Sequence, residues 1–213
     1  MESIGNENKI MQKKILLSSA YFPCVDYIKA IYNNDSIIIE KNEHYLKQTY
    51  RNRTQIASPN GIQSLSIPIV DAGKKEAIGE KKISRKENWP LLHFKTIRNN
   101  YKNSPWYDFL EDEFQTLFES KSDYLIDFNL EILQWILKLL RIKKEIQFSE
   151  TFEKNPTDKI DLRNFFHPKI KNTQTVHVNY QQIFLEKNGF IPNLSIIDLI
   201  FAEGIKLEEY LKA

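Results

Sequence analysis

The chain has 213 residues, with 30 Lys and Arg against 28 Asp and Glu and a formal net charge of +2. Hydrophobic residues make up 41% and charged residues 27%; this is ordinary globular usage that argues against disorder, and the near-balanced charge gives no reason to expect a nucleic-acid partner. A single cysteine, Cys24, excludes an internal disulfide and speaks against a cysteine-based zinc site, and no apolar run approaches the roughly 18 residues of a membrane span.

Residues 1–14 are polar and aperiodic. They read as a loose extension before one α/β domain over residues 15–204. Ile15–Leu17 reads as a short buried strand. Lys13-Lys14 before it gives a faint signal-peptide look. The apolar run is too short, and Tyr21-Phe22-Pro23 replaces the small residues that cleavage needs, so a cytoplasmic protein is expected. Pro23 ends the strand, and Val25, Ile28, Ala30 and Ile31 recur at helical spacing. Ser36–Glu40 is the next buried strand. Strand, helix, strand in short order predicts a parallel βαβ unit, in which ligands sit beyond the carboxyl ends of the strands. Those ends are Ser18-Ser19-Ala20-Tyr21 and Glu40-Lys41-Asn42-Glu43.

Tyr50–Ala57 and Gln63–Val70 flank Pro59-Asn60-Gly61, a hairpin signal. Pro68 marks an edge or a strand end. Ala77–Ser84 is predicted as another short strand. From Trp89 the character turns helical. Leu91, Phe94, Ile97 and Tyr101 form an apolar stripe, a second helix starts at Pro105 and runs through Phe109, Phe114 and Phe118, and Asp123–Arg141 is the clearest helix. Ile146–Ser149 is a possible strand. Residues 150–177 are polar and irregular and read as a connection or a binding loop. Two helices close the pattern, Tyr180–Lys187 and Ser195–Ala202, ended by Gly189 and Gly204. The expected fold is therefore α/β: a small mixed sheet with a βαβ start and a β-hairpin in the N-terminal half, and a mainly helical C-terminal half.

Four polar clusters can carry chemistry. Tyr21 stands at a strand-to-helix turn whose helix N-terminus suits an anion, or it packs under the turn. In Tyr50-Arg51-Asn52-Arg53, strand alternation puts Arg51 and Arg53 on one face. Arginine captures phosphate or carboxylate in two-pronged fashion, and Asn52 orients an amide or hydroxyl; the bland reading is a charged edge strand. Trp89 and His93 share a helix face, followed by Tyr101, Ser104 and Pro105. His93 is a hydrogen-bonded core residue or, if it lines a cleft, a neutral-pH general base. Asn193–Asp198 reads as helix capping. The histidines at 44, 93, 167 and 177 lack metal-ligand spacing, and nothing near Cys24 activates its thiol, so no metal or cofactor is expected.

These clusters resemble those of the WbqC-like family. Tyr21-Phe22-Pro23 is similar to that family's opening segment, Tyr50-Arg51-Asn52-Arg53 with Pro59-Asn60-Gly61 to its strand and hairpin, Trp89…His93…Tyr101…Ser104-Pro105 to its helix, and Gly189–Leu199 to its C-terminal signature. Ser19-Ala20 departs from the Gln-Pro common before the first element, and Lys41 departs from an acidic pair after the second strand. The resemblance implies a role in surface-polysaccharide (O-antigen-type) biosynthesis, with transfer of an amino acid such as glycine to a sugar. It implies His93 as the base, Arg51 or Arg53 holding a phosphate or carboxylate, and Tyr21 and Asn52, with Tyr101, at the substrate. The implied partner is a small molecule: a sugar, a nucleotide sugar or an aminoacyl donor. The competing expectation is a non-catalytic binding module for such a ligand.

Overall fold

The computed structural model describes residues 14–169 and 179–212. His177, Met11 and nearly all of the expected N-terminal extension lie outside the described residues. A parallel sheet of four strands is built from β1 (Lys14–Ser18), β2 (Ser36–Glu40), β5 (Ile146–Phe148) and β6 (Ile160–Asp161), in the order β5-β2-β1-β6. Ile15, Leu17, Ile37 and Ile39 pair in register and are buried, as their near-continuous apolar run requires of a sheet covered on both faces. Helix α1 (Val25–Tyr32) makes the crossover between β1 and β2. The hairpin β3 (Arg53–Ser58) and β4 (Gly61–Ser66) forms a separate antiparallel sheet turning on Pro59-Asn60. Helices α2 (Trp89–Tyr101), α3 (Tyr107–Leu117), α4 (Leu125–Leu139), α5 (Leu185–Asn188), α6 (Ile196–Glu203) and α7 (Glu208–Lys212) make up most of the rest. The α/β architecture expected from the sequence is present, as a parallel sheet plus a hairpin sheet rather than one mixed sheet.

Several elements differ from the sequence pattern for identifiable reasons. The expected strand at 77–84 is a single 3-10 turn, Ile78–Glu80, with isolated bridges on either side. Lys81 sets that path: its fully buried ammonium donates to the carbonyls of Asp71 and Lys74 and to Glu76. The irregular stretch after β5 contributes an edge strand, β6, too short and polar to show periodicity. The helix expected over 180–187 shrinks to Leu185–Asn188, because Gln182 spends its side chain on both backbone groups of Ile191. Leu91 and Phe109, read as apolar-stripe residues, are exposed; of the α2 stripe Ile97 and Tyr101 are buried, together with Trp89, His93 and Asn100.

Candidate functional site

The carboxyl ends of β1, β2 and β6 carry a cluster of buried charge. Arg51 donates through Nε and Nη2 to both oxygens of Glu43, at 2.8 and 2.6 Å, and through Nη2 to Ser18 Oγ at 2.7 Å. Ser18 passes the link on by donating to the Arg163 carbonyl. Arg163 donates to Glu40 at 3.2 Å and, two-pronged, to Asp161. Arg51, Arg163, Glu40 and Glu43 are all buried, which is tolerable only because each charge is paired.

The two arginines, and not their carboxylate partners, line a small cavity. Ser18, Ser19, Tyr50, Arg51, Arg163 and Phe166 line this space of about 10 Å³, room for about one water molecule, and Glu40, Glu43 and Asp161 stand outside its lining. A second cavity of about 10 Å³ adjoins it at Ser19, Ala20 and Tyr27, and is walled by Ile39, Ile126, Leu130, Leu133, Phe148 and Asn129. Two polar groups are left over here. Among the described residues, Arg51 Nη1 makes no hydrogen bond. Asn129, 2% exposed, donates its amide to Ser19 Oγ and to the Arg51 carbonyl, which fixes its orientation and leaves Oδ1 buried without a partner. Such an orphan costs about 1–3 kcal/mol unless something supplies a donor.

The other expected site residues sit around this cleft rather than in it. Arg51 and Asn52 lie in a turn before β3, not in a strand, because the Asn52 amide binds the Ile67 carbonyl and the Tyr50 carbonyl accepts from the Tyr21 N–H. Arg53 therefore does not share a face with Arg51; it is half-exposed and donates to Ser66. Asn52 Oδ1 is also buried and unpartnered. Tyr21 Oη is 2.9 Å from His93 Nδ1, so the structure joins these two, but they are 0% and 4% exposed and neither is among the cleft-lining residues. Burial lowers His93 to about 4 and raises Tyr21 well above the usual phenol range, so both are neutral at physiological pH. Tyr101 is saturated: its hydroxyl donates to Asp198 and accepts from the Ala57 N–H.

The anion site expected at the start of α1 is filled by the chain itself. Leu194 O accepts from Val25 N–H and Asn193 Oδ1 from Asp26 N–H, while Pro23 O takes the Ile196 N–H at the start of α6. The preceding turn is strained, since Phe22 takes φ 38° just before a proline, a cost of about 1–3 kcal/mol. Thr54 and Ser195 hydroxyls both donate to the Phe22 carbonyl and hold it there. Ser195 is thus no side-chain cap. Asp198, read as part of the helix cap, is instead a buried acceptor for Tyr101, Tyr180 and Gln182. Burial pushes Cys24 up to about 12, which removes it as a nucleophile. Among the described residues, no group of three or more His, Cys, Asp or Glu is placed to hold a metal, and no helix is long and apolar enough to cross a membrane.

All the polar groups of the cleft fall within the 18–164 stretch that matches the model of the WbqC-like protein family. The chain belongs to that family. The Gly189–Leu199 stretch, which carried part of the resemblance, lies beyond the matched residues. Along most of its length the chain is also similar to the uncharacterized protein Rv1507c of Mycobacterium tuberculosis, 23% identical over 95% of this chain and 98% of that one. No solved structure matches the chain. Ser18 and Glu43 were named from sequence only as parts of the two strand ends, and Asn129 and Arg163 were missed. Asn129 had a signal: it is an uncharged polar residue in the middle of the apolar face of α4.

Proposed function

We propose that this WbqC-like protein is a transferase that acts on a sugar intermediate of surface-polysaccharide (O-antigen-type) biosynthesis, moving a small carboxylate-derived group such as glycine. The observation that supports this reading is the pair of buried arginines, Arg51 and Arg163, that line one cavity while their carboxylate partners stand outside its lining. Carboxylates in that position hold the arginines in fixed geometry without competing for the ligand, so an anionic group entering the cleft meets a preorganised donor at Arg51 Nη1. Ser19 Oγ stands beside it with its proton uncommitted among the described residues. In this reading His93, kept neutral by burial, takes the acceptor's proton, and Tyr21 and Asn52 hold the wall of the site. Arg53 and Tyr101 contribute at the rim and in the frame.

A second reading, ligand binding without turnover, is favoured by the burial of His93 and Tyr21 behind the cleft wall. One set of measurements separates the two. Purified protein is titrated with small carboxylates, inorganic phosphate, aminoacyl donors and nucleotide sugars, then assayed for transfer with any that bind. Arg51→Lys keeps the charge opposite Glu43 but removes the free nitrogen, and is expected to weaken binding of the anion about tenfold or more. Unaltered binding by this variant places the ligand elsewhere. Transfer abolished in His93→Gln with binding intact supports the base role; equal transfer removes it; binding with no transfer by the wild type leaves the binding module.

A further inference from the structure

A larger cavity, of about 490 Å³, lies beside the segments that lead into β2 and β5, away from the arginine cleft at the carboxyl ends of the sheet. That volume falls in the range of about 300–1,000 Å³ that small-molecule sites occupy. Tyr32, Leu139, Leu140 and Ile142 give it a half-buried, largely apolar lining, which Arg141, Lys143, Lys144 and Glu208 complete. The carboxylate is already neutralised: Glu208 accepts from the Tyr32 hydroxyl at 2.6 Å and pairs with Lys212 at 3.0 Å. Lys144 donates to the Asn34 carbonyl. Arg141 and Lys143 are exposed, and their side chains make no hydrogen bond or ion pair among the described residues. Two cations therefore border the cavity with their charge unspent.

The backbone adds a second observation. Arg141 takes φ 55° at the end of α4, the left-handed conformation that glycine adopts without steric cost. There the Arg141 N–H donates to the Lys138 carbonyl and the Ile142 N–H to the Leu137 carbonyl, which closes the helix with backbone groups alone. A side chain at this position strains the turn and adds nothing to the closure. The same bonds occupy helix-end carbonyls that would otherwise repel an anion, and the roughly half negative charge of a helix end is smaller than the two free cations.

We infer that this cavity binds a nucleoside monophosphate, with the phosphate at Arg141 and Lys143 and the base against Tyr32, Leu139, Leu140 and Ile142. Charge and shape select this class. A phosphate monoester carries about −1.5 to −2 at neutral pH, which matches the two free cations. The apolar part of the lining suits a flat base, which has an apolar face, and offers the hydroxyls of a bare sugar few partners. This site stands apart from the anion cleft by the length of β2, about 17 Å for five residues, and neither depends on the other.

Calorimetry on the full chain with AMP, adenosine and inorganic phosphate tests this. AMP is expected to bind about tenfold or more tighter than adenosine, which lacks the anion, and than inorganic phosphate, which lacks the base. Arg141→Gly is expected to weaken AMP binding about tenfold while leaving the thermal midpoint equal or higher, since glycine relieves the turn. Lys143→Ala is expected to weaken AMP binding as well, with no strain to relieve. Lys138→Ala removes a nearby charge that does not line the cavity, and is expected to change AMP affinity less than about twofold. Absence of saturable AMP binding overturns the site. So does AMP binding unaltered by both Arg141→Gly and Lys143→Ala, which places the nucleotide elsewhere, and so does an equal loss in Lys138→Ala, which reduces the binding to diffuse surface attraction. Inorganic phosphate binding as tightly as AMP overturns the place of the base, and adenosine binding as tightly overturns the place of the phosphate. A lowered thermal midpoint in Arg141→Gly overturns the strain at the turn and leaves Lys143→Ala to decide the site.

Discussion

Two regions of this molecule bury many polar groups, and they treat them differently. Where α1 and α6 meet, the helix-start N–H groups named above are taken by carbonyls and a side chain of the neighbouring segment, and Asp198 receives three donors. At the carboxyl ends of the parallel strands, the ion pairs are equally well made, yet Arg51 Nη1 and Asn129 Oδ1 are left over in residues that line two small cavities. The first region resembles a finished joint and the second a joint with one piece missing. Burial of polar groups by itself therefore says little about function; what is unspent after the internal bonds are counted says more.

That contrast predicts where mutations hurt stability and where they hurt binding. The largest effect is expected at the saturated joint. Asp198→Ala strands the hydroxyls of Tyr101 and Tyr180 and the amide of Gln182, and is expected to cost about 3–5 kcal/mol in urea unfolding. A loss below about 1 kcal/mol would remove the claim that this network is structural.

Next comes the histidine beneath the cleft. His93 has a folded pKa of about 4 against an ordinary 6.5, so the unfolded chain takes up its proton first as pH falls. Its contribution is complete above about pH 6.5 and is lost between there and pH 4, by roughly 3 kcal/mol at the low end. Asp198, raised by burial, works in the opposite sense from about pH 4 upward. The difference between wild type and His93→Gln isolates the histidine. That difference is expected to shrink steadily from pH 7 to pH 4, and a pH-independent difference would refute the shift. The smallest effect belongs to the cleft itself. Ser19→Ala removes one of two acceptors of the Asn129 amide and is expected to cost only about 0.5–1 kcal/mol of stability, while weakening anion binding severalfold.

Much of the frame was legible in the chain. Ile15–Leu17 and Ile37–Ile39 are apolar runs long enough for buried strands, Pro23 separates the first from its helix, and Asn60-Gly61 marks the hairpin. The site was less legible, because its partners are joined by distance in space and not by spacing. Arg163 sits in a polar stretch with no periodicity, and its contacts with Ser18 and Glu40 span 145 and 123 residues. Arg51 was visible as an arginine but not as a turn residue, since its backbone is held by the side chain of Asn129, 78 residues away. Asp198 was misread although a clue was present. It is a lone carboxylate within Ile196–Phe201, a run buried from end to end, and a charge there needs donors from elsewhere.

The pairing of β1 with β6 also bears on how the protein comes into being. A ribosome adds roughly 5–20 residues per second, so Ser18 waits on the order of 7–30 s for the Arg163 that it binds. During that interval β1 has β2 to pair with but a bare outer edge, and Glu40 stands without its cation. The nascent chain thus holds its apolar strands for some time before the segment that closes them arrives, which makes the β1 edge the place where a chaperone or a wrong partner strand has its opening.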